Sequence, residues 1–283
     1  MIYIFNYIYF LYIAFALILL IGLYLLLRNK SKKVSSIVLF SLLLSGFILH
    51  FLKLFADFYQ AWMPTAIRTL TPEAICTVSI IIFPWLFLSK NPLSKDYMFY
   101  MGMFGGLVAT LYPVNVIGFD AFEFETIRFF YHHVLLWVVP LLMMMLKLHT
   151  LDYKRIWKIS FLAIFVLCII LINEVILVGT GFVRADILFS YEFRNTALIF
   201  GPMPELGPVN TFLTAFTPEL FTTVPIGPNA GETFYWPIVW MLVPAFIYFT
   251  IGAFLLALPF EYKKIKRDTL AIKAKVISLF ISN

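Results

Sequence analysis

Charge is what this sequence has least of. Lys, Arg, Asp and Glu make up 13% of its 283 residues, about half the roughly 25% of a soluble domain. A water-soluble chain of this length needs more polar side chain to cover its surface, because its core cannot absorb the remainder. Cysteine is scarcer still. Cys76 and Cys168 are the two present, too few for the disulfide framework of a small secreted domain. Signatures of the common chemistries are missing as well: no HExxH, CxxC or histidine triplet for a metal, no GxGxxG or P-loop for a nucleotide, no Ser-centred elbow for hydrolysis. Neither a metal nor a cofactor is expected. Nucleic acid is excluded as a partner, since the formal charge of +6 comes from short loops and the tail, with no basic stripe carrying aromatic platforms.

What is present is apolar. Hydrophobic side chains make up 62%, with 32 Phe and 15 Tyr, against roughly 45–50% in a soluble domain. Acyl chains must be the solvent for most of this surface, so the expectation is an all-α polytopic transmembrane bundle of about seven spans. The candidates are residues 7–27, 34–55, 72–88, 97–112, 129–148, 156–178 and 236–260, most of them reaching the roughly 17–25 residues a crossing needs. The third and fourth are short. They hold Pro84 and the Gly102, Gly105, Gly106 cluster, and small residues of that kind permit close helix approach.

Loop charge tests that count. Sixteen of the 21 basic residues fall in the tail and in every second loop, while Lys53, Arg68, Arg128, Arg184 and Arg194 fall on the other side. The positive-inside rule then puts the N-terminus outside and the C-terminus in the cytoplasm of a cell-membrane protein. The first stretch has no basic leader and no small-residue cleavage site, so it reads as a span rather than a signal peptide. Residues 1–262 form one expected transmembrane domain, and 263–283 a basic cytoplasmic tail read as a short amphipathic helix on the inner leaflet. Residues 179–235, rich in Gly and Pro, are an outer loop: either a lid over an outward-facing site or a plain loop held by interfacial aromatics. Within it, 185–200 and 209–216 are apolar enough for short helices.

The bilayer penalises polar side chains, so those retained inside apolar spans are informative. Here they collect at one end. The second span carries His50, Lys53 and Asp57 at helical spacings, the third Glu73 and Cys76 just after Pro72, the fourth Tyr112 and Asn115, the fifth Glu125, Arg128, His132 and His133, and the sixth Asn173 and Glu174. At about 1.5 Å rise per residue, Cys76 lies about 6 Å below Pro72 and His133 about 8 Å below Arg128. They share a level with the glycerol-ester carbonyls of lipids. A Cys beside a His is a competent acyl nucleophile, although a membrane Cys is also a common packing residue. Likewise His50, Lys53 and Asp57 read equally as an ion-pair cluster that locks helices together. Cys168, in FVLCII, reads as packing, and His149, beside Lys147 at the opposite end, as interfacial. His132 and His133 diverge by about 100° around the helix, which disfavours a shared metal.

TPEAIC (71–76), RFFYHHVLLWVVP (128–140) and the Asn of LINE (171–174) together resemble the YwaF/TMEM164 family of multi-pass membrane proteins, best over residues 35–178. The chain departs from that pattern at Thr77 and at Gly181 and Phe182. Animal members are described as acyltransferases that remodel ether phospholipids, with the Cys carrying the acyl group and the His acting as base. The resemblance therefore implies Cys76 as nucleophile and His133 as base, with His132 the fallback. Asn173, Tyr112 or the backbone near Cys76 is the expected oxyanion donor, and Glu73 is suited to orienting His133. His50, Lys53, Tyr112, Asn115, Arg128, His132 and Glu174 are the expected lipid-binding residues, and membrane lipids the expected partners. The alternative is a non-catalytic transporter or a lipid- or solute-binding membrane protein. A structural subunit is the third reading.

Overall fold

A computed structural model describes residues 1–61, 63–188, 197–203 and 207–281, apart from the side chains at 57–58, 63–65, 187–188, 276 and 279–281. The described chain is helical and carries no strand beyond one isolated bridge between Thr223 and Thr233. Helix α1 (Tyr7–Leu27) opens on Asn6, whose side chain accepts from the Tyr9 amide. Helix α2 (Lys32–Leu52) opens in the same way on Ser31, and both are favoured N-cap residues because they satisfy an otherwise orphaned amide. Two short helices, α3 (Asp57–Gln60) and α4 (Met63–Leu70), lead to α5 (Ile75–Leu88). Next come α6 (Pro92–Met101), a π-helical stretch Gly102–Leu107, and α7 (Val108–Leu111). The long helices α8 (Phe124–Met145) and α9 (Ile156–Gly179) follow. Short α10 (Ala185–Leu188) and α11 (Val209–Thr214) precede α12 (Leu242–Ile281).

Among the described residues, six helical stretches are long and apolar enough to cross a membrane: Tyr7–Leu27, Lys32–Phe55, Pro92–Val116, Phe124–Met145, Tyr153–Gly179 and Val239–Lys275. The chain is a polytopic helical membrane protein. The third expected span is the shorter α5, 14 residues or about 21 Å at 1.5 Å per residue, against a hydrocarbon core of about 30 Å. It starts at Ile75 rather than Pro72 because the Glu73 amide turns back onto the Thr71 carbonyl at 2.7 Å and Ala74 stays extended at φ −142°. The fourth is longer than expected, since Asn91 caps it and Pro92 fills its first turn, where a missing N–H costs nothing.

The tail also differs from expectation. Among the described residues the tail forms no helix of its own. Instead α12 runs unbroken for 40 residues, about 60 Å. Its later turns are held to the α8–α9 connection, with Lys264 on Asp152 and Lys154 on Asp268, each at 2.7 Å. Of the expected helix over 185–200, α10 is the described start. Residues 189–196, including Arg194, lie outside the described residues, as do the side chains of Asp57, Val276, Leu279, Phe280 and Ile281.

Packing is centred on α8. In its most apolar stretch 72% of residues are buried, against 11% for α1, which leaves α1 as a lipid-facing helix. α8 packs on α1, α2, α5, α6 and most extensively on the π-helical stretch, while α12 packs on α9. The approach of the π-helical stretch to α8 is a glycine contact. A Cβ at Gly102 would stand 2.1 Å from the Leu136 carbonyl oxygen, and one at Gly106 would stand 2.7 Å from that of His133.

Candidate functional site

Chain direction brings several helix ends together. α2 finishes, α5 and α8 begin, and α7 finishes at the same end of the bundle. A cavity of about 530 Å³ opens among them, within the roughly 300–1,000 Å³ usual for small-molecule sites. Its shallow part is polar: His50, Lys53, Tyr59, Glu73, Glu125 and Arg128. Its depth is apolar: Ile80, Met101, Phe104, Leu136 and Phe249. Cys76 and His133 line it too, the one at the second residue of α5 and the other more than two turns into α8.

The polar part is a connected network. Arg128 is paired to Glu125, one turn before it, and donates to the Tyr59 hydroxyl at 3.1 Å. The Tyr59 hydroxyl in turn donates to Glu125. Burial pushes the Tyr59 phenol above its ordinary value, against the pull of Arg128, so that hydroxyl stays a donor. Lys53, 2% exposed, donates to the Thr69 carbonyl at 2.6 Å and stands 5.4 Å over the Tyr59 ring. The His50 Nε2 meets the Leu70 carbonyl at 2.9 Å. Beside this network, buried Glu174 accepts from Arg68 Nε and Nη2 at 3.2 and 3.1 Å, and Glu73 is 3.9 Å from the same guanidinium.

Nine of the eleven residues singled out in the sequence line the cavity: Glu73, Cys76, His133, His50, Lys53, Tyr112, Asn115, Arg128 and His132. Asn173 and Glu174 do not. Asn173 donates to Thr71 Oγ1 at 3.0 Å and so ties α9 to the turn before α5. Glu73 faces Arg68 and makes no hydrogen bond to His133. Among the described residues no hydrogen bond joins Cys76 to His133. Each lies against a different glycine of the π-helical stretch, Cys76 by its sulfur and His133 by its backbone carbonyl. A Cβ at Gly105 would stand 3.1 Å from Cys76 Sγ, and Gly106 abuts the His133 carbonyl. The His133 Nδ1 meets the Phe129 carbonyl at 2.8 Å. A carbonyl only accepts, so Nδ1 carries the proton and Nε2 is the ring's acceptor. Among the described residues no group of three His, Cys, Asp or Glu is placed to hold a metal ion.

Sequence reading missed Tyr59, an aromatic that composition marks as ordinary interfacial furniture, and it missed the loop's share of the lining. Leu198, Met203 and Leu213 reach the cavity. Leu198 sits at φ 60°, uncommon for a residue with a Cβ. It is held by Trp240, whose indole donates to the Leu198 and Ile199 carbonyls at 3.0 and 3.2 Å. Trp240→Phe removes that donor and keeps the ring, a loss of about 1 kcal/mol. The amides of 197–203 are expected to exchange about fivefold faster. Unchanged exchange there would show that the indole does not hold the segment.

At the opposite end, Asp96 is fully buried and accepts from His149 Nε2 at 2.7 Å and from the Arg155 guanidinium at 3.1 Å. His149 is therefore part of a buried ion cluster rather than a plain interfacial residue, and that end is less uniformly apolar than the sequence suggested.

Taken together, the fold and the cavity define a polytopic α-helical membrane protein with a site polar at its mouth and apolar in its depth. The chain belongs to the TMEM164 family, whose model matches residues 3–226. The match begins well before residue 35 and stops short of α12. No curated protein and no solved structure matches the chain.

Proposed function

We propose that the protein is a phospholipid acyltransferase or transacylase of the cell membrane, with Cys76 as nucleophile and His133 as base. The observation that carries this reading is the shared cavity: a thiol and an imidazole both line it, together with a charged set of side chains and an apolar one. That division suits a phospholipid, with headgroup at the mouth and acyl chain below. Loop charge supports an outer-leaflet site, with the N-terminus outside and the tail in the cytoplasm. Leu198, Met203 and Leu213, which reach the cavity from the loop, then cover the site.

In the first step His133 Nε2 takes the Cys76 proton and the thiolate attacks the ester carbonyl carbon. The ester C–O bond breaks, the departing alkoxide takes the proton from His133, and a lysophospholipid leaves an acyl thioester on Cys76. In the second step His133 takes the proton of an acceptor lipid hydroxyl. Its oxygen attacks the thioester, the C–S bond breaks, and the proton returns to the sulfur. No cofactor enters.

A second reading, lipid or solute binding without chemistry, is favoured by one observation: Cys76 and His133 share no hydrogen bond. Acyl exchange separates the two. Purified protein in liposomes with labelled phospholipid and a lysophospholipid acceptor is expected to exchange acyl chains, and Cys76→Ala and His133→Ala are each expected to abolish exchange while the protein stays folded. Exchange indifferent to Cys76→Ala would sink the thioester route, and no exchange with any common lipid pair would leave the binding reading.

A further inference from the structure

The two adjacent histidines of α8 are held in opposite tautomers. His133 carries its proton on Nδ1, which meets the Phe129 carbonyl, so its Nε2 is an acceptor. His132 Nδ1 stands 3.2 Å from Arg128 Nη1. A guanidinium has donors only and is always charged, so Nδ1 of His132 accepts and its proton is on Nε2. That Nε2–H is buried and has no partner among the described residues. The whole side chain is 5% exposed and lines the cavity that holds Cys76 and His133.

Buried donors are almost always satisfied, and an orphan in a cavity wall calls for an acceptor on the ligand. Acyl transfer at Cys76 requires one base and one donor aimed at the carbonyl oxygen where negative charge develops. The sequence assigned the donor to Asn173, Tyr112 or the backbone near Cys76. Asn173 lies outside the cavity lining and is spent on Thr71. Tyr112 sits 40% exposed at the mouth. We infer that His132 Nε2–H is the donor to the acyl carbonyl oxygen, with Arg128 as the positioning residue that fixes its tautomer. The inference rests on the acyl-transfer reading for its catalytic consequence, but the hydrogen bond itself can be observed without turnover.

The test has two arms. In nanodiscs of a diester phosphatidylethanolamine, protein labelled with ¹⁵N-histidine is expected to show the His132 Nε2–H resonance shifted downfield. In nanodiscs of the dialkyl analogue, with the same headgroup and no ester carbonyl, it is expected unshifted. His132→Phe removes the signal and assigns it. In the exchange assay His132→Phe is expected to lower kcat about 100- to 1,000-fold with KM little changed, as loss of one oxyanion donor does. His132→Gln, which restores an N–H near the Nε2 position, is expected to recover part of it. Parent-like kcat in His132→Phe, beside an inactive Cys76→Ala, overturns the inference and leaves acyl transfer standing. Exchange that survives Cys76→Ala overturns the thioester route through Cys76, and the ¹⁵N arm alone then decides whether His132 binds a carbonyl. The same shift in both lipids assigns the acceptor to phosphate and overturns the inference.

Discussion

Gly102→Ala is expected to cost about 3 kcal/mol or more of folding stability, at the upper end of overpacking effects. The new Cβ would lie 2.1 Å from the Leu136 carbonyl oxygen. That atom belongs to the backbone of the most buried helix, so no rotamer change relieves the clash. Gly106→Ala is expected to be nearly as damaging, because its Cβ meets the His133 carbonyl at 2.7 Å and the Leu136 Cβ at 2.8 Å. Two other glycines calibrate the series. At Gly46 the obstacle is the Ile80 Cδ1 at 2.9 Å, the free end of a flexible chain, and about 1 kcal/mol is expected. At Gly22, inside lipid-facing α1, a Cβ meets nothing within 4 Å, so Ala is expected to be neutral or to stabilise by up to about 1 kcal/mol through helix propensity. Thermal unfolding in detergent micelles orders the four. A Gly102→Ala protein that melts with Gly22→Ala would mean α8 and the π-helical stretch are not in backbone contact.

This packing also bears on the site. Widening the turn to π geometry moves successive residues around the helix, and such bulges are often found beside functional groups. Here Gly105 and Gly106 present bare backbone to Cys76 and His133 in turn. Gly105→Ala, which brings a Cβ to 3.1 Å from the Cys76 sulfur, is therefore a milder change in stability than Gly102→Ala and a more local one for the thiol.

Class and depth were legible in the sequence, and pairing was not. Composition alone required a bilayer, and the depth at which polar side chains recur was enough to bring nine of eleven candidates to one cavity. Periodicity along single helices carries that information. Lateral contact is a different matter. Nothing in LINE says that Asn173 turns toward Thr71, or that Glu174 reaches Arg68 from 106 residues away. The tautomers of His132 and His133 depend on Arg128 and on the Phe129 carbonyl one turn back. The i−4 spacing made both partners available, but the choice between them is made by packing. Helix ends differ from the sequence expectation where local caps and turns act: the Asn91 side chain lengthens one helix and the backbone turn from Glu73 to Thr71 shortens another. The tail was read as a separate element because its charges resemble a leaflet-binding helix. In the structure those charges are consumed in part by Asp152 and by Asp268 itself.

The second large effect is expected at the end away from the cavity, where Asp96→Ala should cost about 3 kcal/mol. Asp96 is fully buried and accepts from two cationic or potentially cationic partners, His149 and Arg155, on different sides of the α8–α9 connection. Removing the carboxylate leaves two donors arranged around nothing. The loss is set by that desolvation rather than by the pair's intrinsic worth. Arg155 keeps 24% of its side chain exposed and has Asp152 at 3.6 Å, so it recovers part of its solvation. His149, at 8% exposure, recovers less. Asp96→Asn retains the shape and one acceptor oxygen, and is expected to cost about half as much. The double change Asp96→Leu with His149→Leu is expected to recover about 1 kcal/mol or more relative to Asp96→Leu alone, since it removes the stranded donor along with its acceptor. Unfolding midpoints in micelles read these four variants beside the parent and the His149→Leu single, which closes the cycle. Strict additivity of the two substitutions would show that Asp96 and His149 are not coupled, and that Arg155 alone ties the Asp96 carboxylate of α6 to the α8–α9 connection.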